Sequence, residues 1–142
     1  MKNLQITSFR PGAKSLQKPH LFVLCKGLNS GKPMLSPCPN CFVIQLQNED
    51  EKEQIYWLLY GLWKSNAFHP FLRGSVIPFI TIKDASNCIR EGYTKAIENP
   101  ADFQKSVATL RSLEAMEKQF KQNLHLIDQA KQMLFQRYIL RR

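Results

Sequence analysis

Cys41-Phe42-Val43-Ile44-Gln45-Leu46-Gln47-Asn48-Glu49-Asp50-Glu51 changes period at its middle, and the fold class follows from that change. Phe42, Ile44 and Leu46 alternate with Val43, Gln45 and Gln47, which predicts a strand with one buried face. Asn48 then offers a helix cap, Glu51 stands at the capping-box position, and the acids suit the positive end of a helix dipole. The spacing predicts a helix running to about Lys64 or Ser65. Its body, Ile55 to Trp63, is apolar nearly all round, so it belongs in a core or against another chain.

Working outward, Leu21 to Lys26 reads as a second strand, joined to Cys41–Gln47 by a long loop rich in Gly, Pro, Ser and Asn, and Leu4 to Phe9 reads as an edge strand. Val76 to Ile82 predicts a further strand, with Pro78 pushing it to an edge or a bulge. Asp84 is the expected cap of a helix carrying Ile89, Tyr93, Ala96 and Ile97, and Asn99-Pro100 closes that helix and opens another. From Pro100 to about Ile139 apolar residues recur at threes, fours or two full turns, which predicts one long helix. Glu114 with Lys118 and Glu117 with Lys121 stand at the i,i+4 spacing that suits an exposed face. The expected fold is therefore α+β in a single domain over residues 1–142. It has a small, mostly antiparallel sheet packed against a central apolar helix and a long C-terminal helix. A basic, β-rich part with its long loop occupies about 1–48, and the long helix 100–140.

A chain of 142 residues with 44% hydrophobic and 22% charged residues has a globular composition. Its net charge of +9 is unevenly placed. Residues 1–48 hold six Lys or Arg and no Asp or Glu, so nothing nearby neutralises their field. Such a field suits a polyanion: nucleic acid, or an acidic protein surface. Lys14, Lys18, Lys26, Lys32 and Arg73 are the candidate phosphate contacts. The leading expectation is a non-enzymatic nucleic-acid-binding or accessory protein. The alternative is an interaction module, a regulator or inhibitor docking on an acidic partner, and the long helix offers a homodimer contact. Met1 to Pro11 lacks the apolar run of a signal peptide and no window reaches the length of a membrane span, so a cytoplasmic protein with no membrane partner is expected.

Gly27-Leu28-Asn29-Ser30-Gly31-Lys32-Pro33 invites comparison with a phosphate-binding loop and fails it. Three residues rather than four separate the glycines, and Pro33 stands where a Walker loop has Ser or Thr. Cys38-Pro39-Asn40-Cys41 has the spacing of half a zinc site, and Cys25 approaches if the two strands pair. With no second such pair, free thiols in a turn are the first reading, no cofactor is expected, and a small zinc-stabilised domain on Cys25, Cys38 and Cys41 is the alternative. Trp63 to Ser75 interleaves aromatic and basic residues, which reads first as core closure and second as a stacking surface for bases. No nucleophile, base and acid are recognisably spaced, so no catalytic residue is assigned.

Gly27–Pro33 with Cys38-Pro39-Asn40-Cys41-Phe42, and later Tyr60-Gly61-Leu62-Trp63 through Phe71-Leu72-Arg73-Gly74-Ser75-Val76-Ile77-Pro78-Phe79, resemble a family of short bacterial proteins from Bacteroides-type genomes and their mobile elements. The likeness covers roughly residues 18–90. It implies a cytosolic bacterial protein of mobile-element or phage origin, and brings no activity, ligand or catalytic residue with it.

Overall fold

Four strands, β1 (Gln5–Ser8), β2 (His20–Leu24), β3 (Pro33–Met34) and β4 (Cys41–Gln45), form one antiparallel sheet in the order β1-β4-β2-β3. Three helices follow: α1 (Glu49–Lys64), α2 (Ile82–Glu98) and α3 (Pro100–Ile139). This computed structural model describes residues 4–12 and 16–140. The expected α+β class is what is found, with the edge strand, the first helix and the long last helix at the anticipated places.

The strand β4 lies between β1 and β2, and it buries both of its faces rather than one. On one face Ile44 pairs with Leu21 and Phe42 with Val23, and all four are buried. Ile55, Leu58 and Leu59 of α1 and Ala85 and Ile89 of α2 are buried as well, with α1 against β2 and β3 and α2 against β1. Gly92 lets α2 come close to α1, because a Cβ there would meet Leu62 at 3.0 Å. On the other face Phe22, Cys41 and Val43 form a smaller cluster closed by Phe9, Leu16, Met34 and Cys38. Alternation alone read that face as solvated. The residues that cover it come from the β1–β2 connection, from β3 and from the β3–β4 loop, which periodicity does not place.

The cap of α1 forms as its sequence dictates, with the Glu51 amide donating to Asn48 Oδ1 at 2.8 Å. Glu51 closes the box by accepting from the Gln47 amide at 2.7 Å, one residue before the cap. The cap of α2 differs from expectation. Thr81 caps the helix and Asp84 is its capping-box partner: the Asp84 amide donates to Thr81 Oγ1 at 3.1 Å, and Thr81 Oγ1 donates to Asp84 Oδ2 at 2.8 Å.

Val76 to Ile82 is not a strand. Pro78 has no N–H to give a ladder, and Phe79 alone makes isolated bridges, to Lys26 and to Arg73. Val76 and Ile77 are exposed at 91% and 62%, and Ile82 already begins α2. Residues 1–102 and 103–142 are two separate units. The second is helical from Phe103 to Ile139, and every described residue from 111 onward is exposed. No helix among the described residues is long and apolar enough to cross a membrane.

Candidate functional site

The loop Gly27–Lys32 is folded upon itself. Ser30 N–H and Oγ both donate to the Gly27 carbonyl, Lys32 N–H to Asn29, Gly31 N–H to Leu24, and Gly27 N–H to Pro78. Four of its six amides are thus bonded within the protein and do not face outward as in an anion-binding loop. Gly31 has a φ of +96°, and a Cβ on it would overlap the ring of Phe68, which is 1% exposed. Phe68 therefore plugs the base of this loop, and the first reading of that aromatic as core closure is the correct one.

Around the loop the structure gathers several of the expected bases. Lys26 and Arg73 both bridge to Phe79, the His69 ring Nε2 bonds the Leu28 carbonyl at 3.2 Å, and Lys32 reaches over the Trp63 ring at 5.3 Å. Arg73 also pairs with Asp84 at 2.8 Å. The Thr81 hydroxyl, and after it the Arg73 guanidinium, hold the Asp84 carboxyl below the usual carboxylate range. Lys18 lies at the opposite end of β2 from Lys26, a strand of about 16 Å at ~3.3 Å per residue. Lys14 falls outside the described residues.

What the sequence reading did not bring out is the aromatic row on α1. Tyr56, Trp57, Tyr60 and Trp63 fall at helical spacing, and their rings touch in turn: Trp57 to Tyr60 at 5.4 Å and Tyr60 to Trp63 at 5.8 Å between centroids, both edge to face. Tyr60 is buried, while Tyr56, Trp57 and Trp63 remain half-exposed. Lys64 stands 4.6 Å from the Trp63 centroid, so two lysines converge on one indole. At the other end of the row a cavity of about 310 Å³ opens beside Leu21, Leu35, Lys52, Glu53, Tyr56 and Trp57. An apolar run hides such a surface, since the tryptophans read as core until the burial of each ring is known.

Cys25, Cys38 and Cys41 do meet at the end of the β2–β4 pair. Cys25 N–H donates to the Asn40 carbonyl, and Cys41 Sγ donates to the Cys38 carbonyl at 2.9 Å. Burial pushes the Cys41 thiol up to about 11 and also raises that of Cys25, which has Cys38 beside it. Among the described residues no group of three or more His, Cys, Asp or Glu side chains could hold a metal ion.

A family model described as a family of unknown function (DUF6943) matches residues 6–137. No curated protein and no solved structure matches the chain.

Proposed function

The chain belongs to the DUF6943 family, whose function is unknown, and on that premise we propose that it is a nucleic-acid-binding accessory protein using the α1 aromatic row and the bases beside it. The observation that carries this is Trp63, a half-exposed indole with Lys32 and Lys64 converging on its ring. An unpaired base gains by stacking on such a ring, and the lysines displaced from it are long enough to reach the flanking phosphates. Lys26 immediately precedes the same loop, while Arg73 is engaged by Asp84 and is the weaker candidate. A stacking surface favours single strands over duplex, because duplex bases are not free to leave the stack. The bacterial and mobile-element setting is part of the same proposal and rests on the resemblance of the Gly27–Pro33 and Tyr60–Phe79 segments.

Titration of labelled single-stranded and duplex oligonucleotides at two ionic strengths tests it. Single-strand binding is expected to be tighter and to weaken with salt, with a slope of about −0.7 per phosphate neutralised. Trp63→Ala is expected to cost ~1–3 kcal/mol of binding, the usual worth of one stacked base. Lys32→Ala and Lys64→Ala should each reduce the salt slope, and Lys18→Ala should leave it nearly unchanged. Equal affinity of Trp63→Ala and the parent chain would remove the surface from consideration.

A further inference from the structure

The helix α3 exposes Leu113, Phe120, Leu124, Ile127, Leu134 and Tyr138, at between 51% and 82% of their surfaces. These residues are not scattered. Leu113, Phe120, Ile127 and Leu134 repeat at intervals of seven, and Leu110, Leu124 and Tyr138 fall on the second seven-residue series, three residues before its partner. Together they form the two-position seam of a coiled coil, interrupted on the second series by one acid, Glu117, and one base, Lys131. From Arg111 on no described residue of α3 is covered.

We propose that this seam pairs with the same helix of a second copy of the chain, antiparallel, with the centre of the pair between Leu124 and Ile127. The charges select that arrangement. In a parallel pair in register the seam would stack Glu117 on Glu117 and Lys131 on Lys131, like charges in the least hydrated positions. In the antiparallel pair Leu124 meets the partner's Ile127, Leu113 the partner's Tyr138, and Glu117 the partner's Leu134. Glu117 then lies only about 4.5 Å along the axis, three residues' rise, from the partner's Lys131.

The flanking positions agree. Lys121 stands opposite the partner's Asp128, twice by symmetry. Sliding the antiparallel pair by one heptad toward the N-terminus sets Lys121 against Lys121 and Glu114 against Asp128, so the register is selected as well as the direction. The surface pair that Lys121 makes with Glu117 at 3.1 Å joins this network at little cost. From Leu113 to Tyr138 the seam is about 39 Å long at ~1.5 Å per residue, enough for a stable two-stranded coil. It uses no residue of the aromatic and lysine surface, and its failure would leave the nucleic-acid proposal untouched.

Sedimentation equilibrium of the nuclease-treated full chain tests it, with far-ultraviolet dichroism to show that each variant keeps its helices. The expected result is a dimer of twice the 16.5 kDa chain mass. Leu124→Asp should give a monomer. Lys131→Glu should weaken the dimer about tenfold or more, by placing Glu117 beside an acid at two symmetric sites. Glu117→Lys combined with Lys131→Glu should restore it, which a parallel pair cannot do because like charges would still face each other. A monomer at ~100 µM, far above the Kd expected of such a coil, or a trimer or tetramer, would overturn the proposal. So would a dimer that survives Leu124→Asp, a double variant as weak as Lys131→Glu, or a monomer that takes up a different protein instead.

Discussion

Gly31 shows how much of a motif can be structural. Its left-handed backbone and its contact with the Phe68 ring make two independent demands for glycine, so Gly31→Ala combines backbone strain with overpacking. A loss of ~2–4 kcal/mol in urea unfolding is expected; an unchanged midpoint would mean that Phe68 is not seated there. The buried thiols give a second test at this scale. Burial holds Cys88 and Cys41 at about 11 against the ordinary 9.0, and Cys88 Sγ faces the Ala67 carbonyl at 3.7 Å. Between those values the unfolded chain has released protons that the folded chain retains, so stability is full below about pH 9 and falls as pH rises toward 11. Thermal melts at stepped alkaline pH should show the decline, and Cys88→Ala should lessen it. The sequence sufficed to reject a Walker loop by spacing. It could not show that two of the loop's amides bond the carbonyls of Leu24 and Pro78, because those bonds depend on where Leu24 and Pro78 lie.

Among the elements, helices were the most legible, and for a local reason. Asn48 with Glu51, and Asn99-Pro100, act through groups within one turn, so the residues that specify the ends of α1 and α3 are adjacent in sequence. The start of α2 was legible too, but its signal is Thr81-x-x-Asp84 as a unit rather than Asp84 alone. Thr81→Ala should cost about 1 kcal/mol, measured by chemical unfolding near neutral pH. Asp84 carries a pH signature of the opposite sign to the thiols. Its carboxyl is held below the ordinary 3.8, so its contribution is present above that value and is lost as pH falls through the lower folded-state one. Asp84→Asn should therefore flatten the acid limb of the stability curve. The strand expected over Val76–Ile82 failed because β-favouring residues do not make a strand without a neighbour whose ladder they can join, and Pro78 denies one of the bonds.

For the whole molecule, the acid-free opening segment supplies Lys32 to the proposed surface but does not by itself mark that surface. Lys32 and Lys64 converge on one ring, Lys26 pairs its backbone with Phe79 instead, and Lys64 comes from a helix whose body reads as apolar nearly all round. Charge composition is a sum along the chain, whereas a binding surface depends on which strands and helices are neighbours, and only the order β1-β4-β2-β3 with α1 across it decides that. The same limit applies to the aromatic row: the period of α1 is legible, but the half-burial of Trp63 is a property of the assembled fold. The central claim is that this indole is where a base stacks. Of the two tryptophans, Trp57→Phe leaves Trp63 as the only indole emitter. Its fluorescence should be quenched saturably by an unlabelled single-stranded oligonucleotide at about 50 mM salt, and much less so at about 300 mM. Unchanged Trp63 emission at the lower salt, with oligonucleotide in large excess, would contradict the account.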